Sequence, residues 1–307
     1  MIRKHTRRAA KAAFAISLGV AIVIGLFAGA ARPATNASPT IVIGTKNFPE
    51  EYILGALYQQ ALEAKGFKVS NKGSLGSTEL IQTALTSGKI NFYPEYTGVI
   101  VQDVFHKTFS GKTAQATFNE AKQLEASKGF TLLNMTPFYD TDVIAVTNAT
   151  AQKYGLKSIG DLKKIGSYKF AGFPECQTRN TCLVGYKTQY GIGSPTFVPL
   201  AAISAYTLLD QGKVQAADVF STDPPLSKPS KYTVLADPKH VTGFQNVAPI
   251  VKATVAQQAG STFASTVNAV SAKLTLPAMI AMNKAVEVDK QSPDAVAKAF
   301  LKANGLT

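Results

Sequence analysis

Short apolar runs alternate with stretches of helical apolar spacing from residue 40 to the end of the chain. Ile41-Val42-Ile43 reads as a buried strand stopped by Gly44. Ile53, Leu54, Leu57, Ala61 and Leu62 then recur along one face of a helix opened by Glu50 and Glu51. The pattern predicts further strands at 68–72, 142–146, 169–172, 196–199, 232–235 and 247–251. Helices are predicted at 79–87, 183–190, 201–211, 263–273, 277–288 and 294–303. Such alternation indicates an α/β fold, in which loops at the carboxyl ends of strands are the usual ligand sites.

One stretch recurs. Gly88-Lys89 closes a leucine-containing helical run and is followed by a β-prone run ending in Tyr96-Thr97; Gly212-Lys213 does the same and leads to Phe220-Ser221. A shorter echo pairs Phe48-Pro49-Glu50 with Phe173-Pro174-Glu175, each just after a strand-like run. Leu-x-x-Gly-Lys is also an ordinary helix stop, but the two echoes together predict two lobes built alike. Crossings expected near 143–146 and 248–251 would divide the chain into a first lobe of 40–143 plus 249–307 and a second of 144–248. Two such segments make a hinge.

Composition changes this picture at the N-terminus. Arg3, Lys4, Arg7, Arg8 and Lys11 precede an uncharged, mostly apolar run over 12–31 with small-residue cleavage sites, so 1–39 reads as an export signal and linker. An uncleaved N-terminal anchor is the alternative. The formal charge of +13 stays positive once that segment is set aside. No Lys/Arg run interleaved with aromatics accompanies it, so the surplus is read as solvated surface and no nucleic-acid partner is expected. The two cysteines, Cys176 and Cys182, lie in the exported part, where a close pair is expected to form a disulfide that shapes a loop. The three histidines are not spaced with them as zinc ligands.

The chain carries no phosphate-binding glycine motif and no nucleophile elbow. Carboxyls stand at strand ends, at Glu50, Glu95, Asp142, Glu175 and Asp223. Hydrolytic chemistry would need two of them facing each other. Aromatics are more numerous there: Phe48, Tyr93, Tyr96, Phe138, Tyr139, Phe173, Phe220 and Phe244. Those that face a cleft would suit a bulky soft cation, and Lys46 and Arg179, in loops of opposite lobes, can grip a carboxylate.

Thr45-Lys46-Asn47-Phe48-Pro49-Glu50-Glu51-Tyr52-Ile53-Leu54, Gly73-Ser74-Leu75-Gly76-Ser77-Thr78 and Tyr93-Pro94-Glu95-Tyr96-Thr97-Gly98, in this order, resemble the substrate-binding proteins of osmoprotectant ABC transporters. The region 282–289 and Ala299-Phe300-Leu301 resemble that family's closing helices, so the likeness spans most of 40–307. It implies a bilobal type II periplasmic-binding-protein fold and a monomer without enzymatic activity or cofactor. Its expected role is to hand glycine betaine, choline or carnitine to a membrane permease. It also implies ligand roles for Lys46, Tyr96, Arg179, Phe220 and Thr222. Two tyrosines usual in the family fall on Asp142 and Gln245, and Val99 replaces a threonine. Tyr139 and Phe244 are close enough in sequence to refill the aromatic cage. Asp142 can pair with a cation, hydrogen-bond a hydroxyl, or bond only to loop N–H groups. The alternatives are a binding protein for another small polar solute, or an extracytoplasmic enzyme using Asp142 and Asp223.

Overall fold

The computed structural model describes residues 38–109, 113–200, 203–227 and 230–307. The signal and linker over 1–39 therefore lie almost wholly outside the described residues, as do 201–202 of one expected helix. Among the described residues no helix is long and apolar enough to cross a membrane.

The strands are β1 (Ile41–Thr45), β2 (Val69–Ser74), β3 (Phe92–Tyr96), β4 (Phe130–Leu132), β5 (Asp142–Thr147), β6 (Lys169–Gly172), β7 (Thr196–Pro199), β8 (Ala216–Phe220), β9 (Tyr232–Val234) and β10 (Val247–Lys252). They form two five-stranded sheets, ordered β2-β1-β3-β10-β4 and β7-β6-β8-β5-β9. In each, the central strand pairs in parallel on one side, β3 with β1 and β8 with β6. On the other side it pairs antiparallel, β3 with β10 and β8 with β5. The echo in the sequence is thus the helix stop, at positive-φ Gly88 and Gly212, that feeds the central strand of each lobe. Only glycine takes that conformation without strain.

Each sheet has an apolar cluster on both faces, which makes each lobe a helix–sheet–helix sandwich. The first cluster sets Ile53 and Leu57 against Met279, Val296 and Leu301, so the C-terminal helices return to the first lobe. β3 is buried at every position and yet contains Pro94, a residue that argues against a central strand. Pro94 faces Pro249 of β10, whose carbonyl turns away to accept the Leu133 N–H at 2.9 Å. The two prolines therefore sit at a non-hydrogen-bonded pair of the ladder, where neither missing N–H removes a bond between these strands.

The chain passes between sheets over 133–141 and again over 235–246. β5 lies wholly in the second sheet and β10 wholly in the first, so both passages precede the runs in which the sequence placed the crossings. The reason is that the apolar runs 143–146 and 248–251 are taken up in the sheet ladders, so the chain must cross before each run begins. The two passages pair with each other through a bridge between Tyr139 and Asn246, and Asn246 donates to the carbonyls of Thr136 and Phe138, both at 3.0 Å.

Candidate binding cleft

The carboxyl ends of β1 and β3 in the first lobe and of β6 and β8 in the second, with the amino end of β5, meet at one cleft. Its walls include Lys46, Phe48, Tyr96, Asp140, Asp142, Phe173, Glu175, Arg179, Asp218, Phe220 and Gln245, around about 640 Å³ of space, solvent at the mouth included. Four rings cross it as a ladder. Phe173 stacks on Phe220 with centroids 5.8 Å apart, Phe220 on Phe48 at 5.0 Å, and Phe48 meets Tyr96 at 6.2 Å. Phe48 and Tyr96 come from the first lobe and Phe173 and Phe220 from the second, so the Phe48–Phe220 contact is the seam. A cation held between two rings needs each centroid within about 6 Å of it. At 5.0 Å the seam rings touch each other instead, and a solute enters only as the lobes part or along the ladder's edge.

The first lobe binds its own charges tightly. Lys46 places its ammonium 2.5 Å from Glu95 and 4.3 Å from the centroid of Tyr96, so one face of that ring already carries a cation of the protein. Glu95 also accepts from the Tyr96 N–H at 2.7 Å and the Thr78 hydroxyl at 3.3 Å. Glu50, at the start of the helix Pro49–Ala64, accepts from the Tyr96 hydroxyl at 2.8 Å, the Thr222 hydroxyl at 2.7 Å and the Asn283 amide at 2.9 Å. Burial raises its pKa above the usual carboxylate range and these donors oppose the rise. Burial also pushes the neighbouring Glu51 up to about 8, against the pull of Lys46.

The second lobe reaches across through its disulfide loop. Cys176 and Cys182 are bonded, with Cα atoms 5.1 Å apart. Within that loop Arg179 pairs with Glu79 at 3.1 Å, and the Thr181 hydroxyl donates to Asp103 at 3.0 Å; both acceptors belong to the first lobe. Asp103 stands on a π-helical turn, Ile100–Val104, within the stretch after Thr97 where the residue pattern reads as helical. Thr222 adds two more cross-lobe bonds, its hydroxyl donating to Glu50 and its carbonyl accepting from the Asn283 amide at 3.4 Å.

A model of the family described as the substrate binding domain of an ABC-type glycine betaine transport system matches residues 39–303. The chain belongs to this family. It is 31% identical to the glycine-betaine-binding protein of Pseudomonas aeruginosa, over 92% of each chain. It is 29% identical to the glycine betaine-binding protein YehZ of Escherichia coli, over 92% of this chain and 96% of the other. The solved structure of apo YehZ superposes with a TM-score of 0.63 at 28% identity, covering 88% of this chain and all of that one. The bilobal fold expected from the sequence is therefore present, and the chain is a substrate-binding protein of an ABC transporter, not an enzyme. Asp223, one of the carboxyls that an enzymatic reading would use, holds the Tyr206 hydroxyl at 2.9 Å and the Phe220 N–H at 3.2 Å.

In this ABC substrate-binding protein the cleft gathers Lys46, Tyr96, Asp142, Arg179, Phe220 and Gln245, among the residues named from sequence. Thr222 lies beneath it, buried on Glu50. Gln245 is committed structurally: it accepts the Val99 N–H at 3.0 Å and donates to the Thr242 carbonyl at 2.6 Å. It lies flat on Gly98, where a Cβ would approach the amide nitrogen to 2.5 Å. Tyr139 and Phe244 do not refill the cage. Tyr139 is 50% exposed on the passing chain, and Phe244 stacks on His240 in a different cavity, with centroids 6.3 Å apart. Sequence proximity to the missing tyrosines misled because neighbours along a passing segment do not share an environment: Tyr139 is open to solvent and Phe244 packs on His240. Phe48 and Phe173 stand in the ring ladder instead, and the repeated Phe-Pro-Glu was the signal for them. Asp218 was missed altogether, although it stands two residues before Phe220 and so shares its face of the strand.

Proposed function

We propose that this binding protein captures a small quaternary ammonium osmoprotectant, of the glycine betaine, choline or carnitine class, and presents it to its permease. The observation that carries this reading is the four-ring ladder divided between the lobes. Three of its rings, Phe48, Phe173 and Phe220, are half-buried and offer faces to a cation once the lobes part, while the Lys46 ammonium already stands 4.3 Å from the Tyr96 centroid and 5.6 Å from that of Phe48. The paired passages at Tyr139 and Asn246 act as the hinge, and closure brings Arg179, Thr181 and Thr222 onto the first lobe. The chain acts as a monomer after export, with residues 1–39 serving as signal and linker.

Isothermal titration of the mature chain with glycine betaine, choline, carnitine and ectoine tests the reading. Saturable binding of at least one of the quaternary ammonium compounds is expected. Phe220→Ala is expected to weaken it by about 2- to 30-fold, the value of one aromatic face. Heatless, unsaturable titrations with all of them would remove the reading.

A further inference from the structure

We propose that Asp142 and Asp218 form one subsite that takes a hydrogen-bond donor carried beside the solute's cationic head, so that the cleft selects cationic amino alcohols over carboxylate-bearing zwitterions. This rests on the cation reading above and narrows it. β5 and β8 are antiparallel neighbours in which Asp142 faces Phe220 and Ile144 faces Asp218. Asp142 and Asp218 are therefore diagonal neighbours on one face of the sheet, about 7 Å apart, with the Phe220 ring beside them.

Asp218 is 4% exposed and lines the cleft, yet its Oδ1 has no hydrogen-bond partner among the described residues. Among those residues no hydrogen bond reaches the Asp142 carboxylate either; the Thr141 hydroxyl contacts only its backbone carbonyl. A buried carboxyl oxygen without a donor, as on Asp218, is costly in a fold and calls for a partner, and the half-buried Asp142 stands beside it. The nearby cations are otherwise engaged, Lys46 with Glu95 and Arg179 with Glu79. A metal does not answer the need: the other donor atoms grouped with Asp218 are the sulfurs of Cys176 and Cys182, which are bonded to each other and are not thiolates.

A donor-bearing cation fits what remains. Its positive charge lies on the ladder beside two carboxyls, and its O–H supplies the hydrogen bond that Asp218 lacks. A zwitterion would instead bring its own carboxylate to a wall that holds Asp140, Asp142, Glu175 and Asp218, where the two cations, Lys46 and Arg179, are already paired with Glu95 and Glu79. A simple tetraalkylammonium ion would satisfy the charge and leave the donor position open.

The test is titration of the wild-type protein with choline, glycine betaine and tetramethylammonium, followed by the first and last with Asp142→Asn and Asp218→Asn. Choline is expected to bind about tenfold or more tightly than the other two, the value of a hydrogen bond to a charged group. In either variant the choline preference over tetramethylammonium is expected to shrink to within about threefold, whereas a pure loss of field would weaken both ions alike. The wild-type series stands even if a variant does not fold. Glycine betaine binding as tightly as choline would mean that Arg179 leaves Glu79 to hold a carboxylate, and would overturn the subsite. Equal binding of choline and tetramethylammonium would overturn it too, while leaving the cation reading intact. No binding of any of the three would remove the cation reading and the subsite with it.

Discussion

The first and second lobes end their central strands alike, in Tyr96 and Phe220, but treat the carboxyls beside those rings differently. In the first lobe Glu50 and Glu95 each accept three bonds from the protein, and the Tyr96 hydroxyl and Lys46 ammonium are among the donors. In the second, Asp142 and Asp218 face the cleft without such donors. The same architecture thus gives a locked half and a half with bonding capacity left over. A side chain in the locked half should act mainly on stability, and one in the open half mainly on binding.

The largest test of that contrast is a pair of truncations. Tyr96→Ala removes a ring that is 4% exposed and takes a donor from buried Glu50, so it is expected to destabilise the fold by about 3–5 kcal/mol. Phe220→Ala removes a half-buried ring and is expected to cost about 1–2 kcal/mol, with its main effect on solute affinity. Denaturant unfolding of both variants checks this, and equal losses of stability would erase the distinction between lobes. Next in size is Cys176→Ser with Cys182→Ser. By the chain-entropy model opening this loop costs about 2 kcal/mol. Because Arg179 and Thr181 ride on the loop, it is also expected to shift the population toward open lobes in small-angle scattering.

Titration separates the lobes further. Burial pushes Asp142 up to about 6, with Arg179 and Lys46 opposing and Asp103 and Glu175 reinforcing the rise. A bound cation favours the ionised form, so affinity for choline is expected to fall about tenfold between pH 7 and pH 5 as this carboxyl gains its proton. Glu51 in the first lobe is raised to about 8, above its unfolded value. Its protonated form is favoured by folding, so the stability it contributes is present at low pH and lost as pH rises through about 8. The melting temperature is therefore expected to decline from pH 6 to pH 9, and less so in Glu51→Gln. The smallest effect belongs to Glu79→Ala. Glu79 is half exposed in its pair with Arg179, and its removal is expected to cost at most about 1 kcal/mol. A larger loss would make this pair a true latch between the lobes.

The periodicity of apolar residues, the helix stops at Gly88 and Gly212 and the doubled Phe-Pro-Glu were legible in the chain, because burial and local backbone conformation act over a few residues. They give two like lobes, a cleft at their strand ends and, through the family's motifs, a role in solute capture. Which residues share that cleft depended on distances between segments far apart in sequence. Tertiary structure turned Tyr139 and Phe244 away, committed Gln245 to Val99 and Thr242, placed Lys46 over Tyr96, and left Asp218 facing Asp142's side of the sheet without a donor. Strand register decided the last of these, since a one-residue shift in β8 would have turned Asp218 and Phe220 together to the other face.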